Sequence, residues 1–239
     1  MKKLVLMFVV VLLVLGGMAQ AAISIPSGVG EGDEFRLAFV TLPTYQALET
    51  DIAVYNGWMQ DEADAAGIGV DGNGDPVSYA VIGSTVDVDA RDNTGTNPNV
   101  SAGSAIYTTG GAKVADDNAD LWDGDVDNII NTLATGDTTP GHLWAFTGTY
   151  KDGTKSDPSL YSNAGNPLGN EGEVSQGNGG QVDTWIFRIW TSDPGDTTLP
   201  LYGMSQPLQV VNGVVTAVPE PATMVLLGLG GLTLLRRRK

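Results

Sequence analysis

The stretch FRLAFVT, which comprises residues 35–41, is the starting point for the fold of this 239-residue chain. Successive side chains of a β-strand point to opposite faces, and here both sets are mainly apolar. The stretch therefore predicts a strand with apolar residues on both faces. Pro43 lies just beyond it, where a strand is expected to end.

Two segments after this strand have the spacing of helices. Residues 44–66 carry apolar side chains near helical spacing, and Gly67 follows at the position of a C-cap. Residues 120–133 show a second apolar pattern of this kind. We therefore expect one long helix after the first strand and a second helix near the middle of the chain.

Further β-prone runs separate and follow these helices, at residues 79–83, 104–108, 142–149, 184–190 and 201–211. A stretch rich in Gly and Asn, residues 151–180, is expected to be a long loop. The composite pattern predicts an α+β fold with long loops, arranged as one domain over residues 22–218.

The N-terminal 21 residues have the three parts of a secretory signal peptide. Lys2 and Lys3 precede an apolar run over residues 4–15, and Ala19 and Ala21 form a small-x-small cleavage site. The apolar run is shorter than the roughly 20 residues of a spanning helix, which disfavours a permanent anchor. We expect export, with cleavage after Ala21.

The C-terminus has an apolar run over residues 222–235, which is closed by four cations, Arg236, Arg237, Arg238 and Lys239. Such a run spans only about 21 Å as a helix, less than a hydrocarbon core of about 30 Å. Cations after an apolar run stay on the cytoplasmic side. The tail is therefore expected to hold the exported protein transiently at the inner membrane.

Pro219, Glu220 and Pro221 stand directly before this run, and the order of the three elements resembles the PEP-CTERM sorting signal. Bacteria that secrete extracellular polysaccharide carry this signal. The resemblance implies recognition by an exosortase, cleavage near the Pro-Glu-Pro motif and release to the cell surface or the extracellular matrix. It also defines residues 219–239 as a sorting and anchor segment.

Composition narrows the classes of partner. The segment of residues 22–218 keeps six of the 12 Lys and Arg residues and 27 of the 28 Asp and Glu residues, so its formal charge is −21. A field of this sign repels nucleic acid phosphates, which excludes nucleic acid as a partner. The chain has no cysteine, and so it has neither disulfides nor thiolate chemistry.

The densest acidic stretch carries six carboxylates that could ligate a hard cation, so Ca²⁺ is the candidate cofactor. These are Asp116, Asp117, Asp120, Asp123, Asp125 and Asp127. A second interpretation stays open, because Asp at a helix start caps the helix without any metal. A similar acidic run over residues 70–75 lacks the Gly and Glu of a calcium loop and is expected to be a turn.

Several short segments together resemble the C-type-lectin-like fold, in its endostatin-like branch. They are LAFVT, the helix after it, VDARDNT, IYTTGGAKVADDNADLWDG, WAFTGTYKDG and LYGMSQPL. The resemblance implies that the first and last strands pair, that two helices flank the sheet and that a long loop region binds ligands. The disulfides and the calcium-ligating tripeptides of the lectins proper are absent, so calcium-dependent sugar binding is not implied.

These observations predict an exported surface or matrix protein that binds or scaffolds within the extracellular polysaccharide of a biofilm. The alternative is a secreted hydrolase that attacks this polysaccharide with paired carboxylates. A structural coat protein without a small ligand is the third interpretation. His142 is the single histidine and no Gly-x-Ser-x-Gly motif occurs, so we do not expect an enzyme.

Overall fold

A computed structural model describes residues 23–139, 144–159 and 164–219 of the chain. The signal peptide with Ala19 and Ala21, His142, and the tail from Glu220 through Pro221 to the terminal cations lie outside the described residues. Within the described ranges, no helix has the length and apolar character needed to cross a membrane.

Ten strands and three helices make up the described part. The strands are β1 Glu34–Val40, β2 Tyr79–Val81, β3 Ala105–Thr108, β4 Lys113–Ala115, β5 Trp144–Phe146, β6 Val174–Asn178, β7 Arg188–Ser192, β8 Tyr202–Ser205, β9 Leu208–Val211 and β10 Val214–Ala217. The helices are α1 Ile52–Ala65, α2 Ala90–Asn93 and α3 Asn118–Leu121. The architecture is α+β with sheet predominating.

Strand β1 lies in the middle of a seven-stranded sheet. It pairs in parallel with β3 along one edge. Its other edge is shared, because β9 pairs with its first residues and β8 with its last residues, both antiparallel. Strand β10 extends the sheet beyond β9, and β2 pairs with β8.

The prediction that residues 35–41 have apolar side chains on both faces is confirmed. Phe35, Leu37 and Phe39 contribute to one hydrophobic core, which α1 covers. Ala38 and Val40 contribute to a second core on the opposite face of the sheet. Burial of each large apolar side chain contributes about 1.5–3 kcal/mol, so a strand with two buried faces anchors both layers.

Helix α1 begins later than the sequence predicts. The predicted helix starts at residue 44, but Tyr45 instead forms an isolated β-bridge with Leu199. Asp51 caps the helix, because its side chain accepts a hydrogen bond from the Ala53 N–H. The helix ends at Ala65, close to the predicted end, with Gly67 following it.

The second predicted helix, over residues 120–133, is wrong. Only α3 forms there, and it ends at Leu121. The Asp123 side chain accepts from the Asp125 N–H, and Gly124 between them has φ 113°, outside the helical region. Val126 and Ile130 are nevertheless buried in the second core, so their apolar spacing reflects packed turns.

The prediction of a continuous loop over residues 151–180 is also wrong. Strand β6 lies within this range and forms the middle of a three-stranded antiparallel sheet with β5 and β7. Its sequence, VSQGN, has one apolar side chain, and so it lacks the pattern that marks a strand. Its polar residues Ser175, Gln176 and Asn178 are buried all the same, in the middle strand of this sheet.

Candidate functional site

The buried arginine of β1 is the centre of the candidate site. Arg36 has only 6% of its surface exposed. Its Nη1 donates to the main-chain oxygens of Thr94 at 2.8 Å and Ser205 at 2.9 Å, and its Nη2 donates to that of Gly95 at 3.3 Å. Main-chain carbonyls of the loop after α2 and of the end of β8 thus fix the position of the guanidinium through hydrogen bonds.

No carboxylate among the described residues forms an ion pair with Arg36. Its Nε is buried and has no hydrogen-bond partner. Burial lowers the pKa of Arg36 to about 10, and the charge of Glu34 opposes this shift. The side chain therefore remains cationic at neutral pH, as a buried positive charge that makes no direct ion pair within the described residues.

A pair of amide side chains forms the wall beside α1. Asn56 and Asn93 exchange hydrogen bonds of 2.9 and 3.0 Å between their side chains. The same pair bonds to the backbone of Val81, with Asn56 accepting from its N–H and Asn93 donating to its carbonyl. These bonds fix α1, α2 and the end of β2 to one another.

The opposite wall is where the chain leaves the domain. The Gln206 side chain accepts from the Ser78 N–H at 3.0 Å and donates to the Val218 carbonyl at 3.3 Å. The Val218 N–H donates to the Pro207 carbonyl at 3.0 Å. Val218 is therefore tied to the domain at both of its main-chain polar groups, immediately before Pro219.

Together these residues enclose a cleft of about 610 Å³, which lies within the range typical of ligand sites. The lining residues not yet named as part of it are Tyr79, Ala80, Asp92, Met204 and Pro219. Asp92 is exposed, and its Oδ1 accepts from the Asn97 amide at 2.6 Å. The cleft thus combines apolar surface with amides, hydroxyls and one buried cation.

The predicted calcium residues lie elsewhere, and the structure brings only some of them together. Carboxylate oxygens of Asp116, Asp120 and Asp127 lie within 4.8 Å of one another. Lys113 already offsets part of the negative charge of this group, because its Nζ bonds to Asp116 and lies 3.1 Å from Asp127 Oδ2. The hydrogen bonds that the Lys113 ammonium donates to both carboxylates raise its pKa, which keeps the ammonium charged.

Two of the other predicted ligands, Asp117 and Asp123, have local structural roles. Asp117 caps α3 by accepting from the N–H groups of Ala119 and Asp120. Asp123 accepts from the Asp125 N–H, as described above. The capping interpretation therefore accounts for Asp117, while calcium binding by the remaining carboxylates stays a prediction.

The turn expected over residues 70–75 is organised by one buried carboxylate. Asp71 Oδ1 accepts from the N–H groups of Asn73 and Asp75, and Oδ2 accepts from the Ala217 N–H at 2.9 Å. Burial alone would raise the pKa of Asp71, but these N–H donors outweigh it and hold the pKa below its usual range. The turn is thus hydrogen-bonded to the end of β10, two residues before Pro219.

Four tryptophans, Trp58, Trp122, Trp144 and Trp185, contact other side chains of the protein. Trp185 is fully buried against Trp122, whose Nε1 donates to Thr96. Trp58 is half-buried and stacks on Tyr45, with ring centroids 4.6 Å apart. The Arg188 guanidinium lies over the Trp144 ring, 4.6 Å from its centroid.

Comparison with known families identifies the C-terminal end of the chain. Residues 217–239 match the PEP-CTERM protein-sorting motif. The chain thus carries the signal of an exported protein that an exosortase processes and that is anchored transiently in the membrane. No curated protein matches the chain.

Sequence reasoning missed the cleft altogether. Its residues come from distant segments, and only the pairing of β1 with β8 brings Arg36 beside Ser205. One signal was present in the sequence, since Arg36 interrupts an otherwise apolar stretch and is one of only six cations within residues 22–218. A charged side chain on a strand with two buried faces requires buried partners.

Proposed function

We propose that the exported domain is a non-catalytic binding component of the extracellular polysaccharide layer, and that the cleft around Arg36 is its binding site. Exosortase sorting delivers the domain to the cell surface or matrix. The observation that carries the proposal is the 610 Å³ cleft, which presents apolar surface together with a few fixed polar groups.

The arrangement of carboxylates supports binding over hydrolysis. Glycoside hydrolysis requires two carboxylates at a defined separation on either side of the scissile bond. Among the described residues that line the cleft, Asp92 supplies the single carboxylate. A cleft with one carboxylate suits a binding domain.

The resemblance to the C-type-lectin-like fold forms part of the same proposal. Strand β1, near the start of the described chain, pairs antiparallel with β9 near its end, although the last described strand, β10, pairs with β9 and not with β1. Helix α1 covers one face of the sheet. A binding role in loops beside such a sheet is consistent with the position of the cleft between α2 and β8.

The test uses the processed protein secreted by an exosortase-competent host, mixed with the polysaccharide of that host. Ser78 lines the cleft, is exposed and has no side-chain hydrogen bond among the described contacts, so Ser78→Trp fills the cleft without removing a stabilising contact. Ser27, which is also exposed and lies outside the cleft, gives the matched control Ser27→Trp.

We expect saturable co-sedimentation of the wild type and of Ser27→Trp, and a loss of at least tenfold in affinity for Ser78→Trp. No release of reducing ends should accompany binding. Equal binding by both variants would place the site elsewhere, and the absence of binding by the wild type would contradict the proposed function.

A further inference from the structure

The cleft contains a chemical group that a neutral sugar does not require. Arg36 is 6% exposed and has a buried, unpartnered Nε, and no carboxylate of the described residues pairs with it. Buried charges in proteins are normally paired. In a segment of charge −21, which holds 27 acidic residues, the lack of a pairing carboxylate is a specific feature of this site.

We propose that the cleft recognises an acidic saccharide, whose anionic group interacts with Arg36. This inference rests on the proposed function and names the class of ligand. The guanidinium is already oriented, because Thr94, Gly95 and Ser205 fix two of its nitrogens by their carbonyl groups. An oriented cation in a cleft that is partly lined by apolar side chains binds an anion with little further loss of conformational entropy.

The acidic surface does not prevent this interaction. Charges separated by more than about 8 Å are largely screened at physiological ionic strength. The acidic group that lines the cleft is Asp92, which is exposed and already accepts a hydrogen bond from Asn97. Arg36 lies within the cleft, where desolvation strengthens its interaction with an anion.

Two substituents can supply the anion, the carboxylate of a uronic acid or a sulfate ester. The carboxylate is planar and the sulfate is tetrahedral, and a guanidinium binds the oxygens of either group. The experiment separates them by using trigalacturonate, its neutral methyl ester and a sulfated oligosaccharide of equal length. Calorimetry on the processed, secreted protein measures the three affinities at constant ionic strength.

We expect an anionic oligosaccharide to bind at least tenfold more tightly than the methyl ester, as befits a charge-assisted hydrogen bond. Ser78→Trp should abolish this binding and Ser27→Trp should preserve it. Arg36→Lys should reduce affinity for the anion severalfold and narrow the difference between the acid and the ester, because Lys lacks the fork of donors. Arg188→Gln, which removes a cation on β7 outside the cleft, should leave all affinities unchanged.

The outcomes distinguish this inference from the proposed function. Equal affinities for the acid and the ester, with host polysaccharide still bound, would overturn the acidic-ligand inference alone. Binding of trigalacturonate without binding of host polysaccharide would overturn the proposed role and leave the anion site supported. If Arg36→Lys fails to fold, the comparison of acid with ester and the Ser78→Trp result still decide the question.

Discussion

The carboxylate of Asp71 provides the sharpest test of how the C-terminal strand is held. It accepts three main-chain N–H groups, two within its own turn and one from Ala217 at the end of β10. In Asp71→Asn the amide oxygen can keep the two bonds within the turn. The amide nitrogen then faces the Ala217 N–H, so one donor meets another and the bond to β10 is lost.

The expected cost follows from this single lost bond. Hydrogen bonds to charged groups contribute about 1.5–3 kcal/mol, so we expect Asp71→Asn to lower the free energy of unfolding by about 2 kcal/mol at pH 7. In a domain of this size 1 kcal/mol corresponds to about 2–4 °C in Tm, which gives a decrease of about 4–8 °C. Asp75→Asn is the matched control, since the exposed Asp75 side chain accepts no hydrogen bond among the described contacts.

The pH dependence of the free energy of unfolding tests whether the ionised form of Asp71 provides this stabilisation. The folded pKa of Asp71 lies below its unfolded value of about 3.9. The stabilisation is therefore fully present above the unfolded pKa and is lost as pH falls through the folded pKa. We expect the difference between the wild type and Asp71→Asn to narrow by up to about 1.4 kcal/mol per pH unit below pH 4.

The assay is thermal unfolding of the processed protein and both variants by circular dichroism, between pH 7 and pH 2.5. Hydrogen exchange of the Ala217 amide reports the lost bond directly, and it should accelerate in Asp71→Asn alone. A Tm difference that is absent at pH 7, or one that stays constant down to pH 3, would refute the reasoning.

Two further substitutions test the acidic cluster and the packing. Lys113→Gln removes the ammonium from among the carboxylates. We therefore expect 1 mM Ca²⁺, compared with chelator, to raise the Tm of Lys113→Gln more than the Tm of the wild type or of the control Lys155→Gln. Equal shifts in Tm would contradict a competition between Lys113 and calcium. Gly153→Ala places a Cβ 2.7 Å from the Trp122 ring at φ +80°, whereas Gly74→Ala at φ +87° meets nothing within 4 Å. In both variants the strained backbone conformation should lower the free energy of unfolding by about 1–2 kcal/mol. Only in Gly153→Ala should the contact with Trp122 lower it by a further roughly 1–3 kcal/mol, measured by urea unfolding. Equal losses of stability would contradict the close packing at Gly153.

The sequence predicts the features that depend on local pattern. The apolar run of residues 35–41 predicted a strand with two buried faces, and the turn at residues 70–75 followed from its Asp, Asn and Gly content. The prediction of a second helix was wrong because apolar residues in packed turns, such as Val126 and Ile130, have the same spacing as residues on one face of a helix. Strand β6 could not be predicted, because its long-range pairing with β5 and β7 stabilises it, whereas its own sequence does not favour a strand.

The candidate site could not be predicted for a related reason. The partners of Arg36 are main-chain carbonyls, which every residue has and no side-chain pattern reveals. The acidic stretch around residue 120, in contrast, drew attention by its composition. The structure shows that Lys113 and helix capping already occupy several of those carboxylates.

The attachment of Val218 to the domain has a consequence for the order of events at the membrane. Four residue steps separate Val218 from the apolar run that begins at residue 222, and they reach at most about 14 Å. While the tail is anchored, Pro219, which lines the cleft, lies within that distance of the start of the apolar run, so the proposed polymer binding would take place close to the membrane. Proteolytic release would therefore move the proposed binding cleft away from the membrane in the same step that frees the domain.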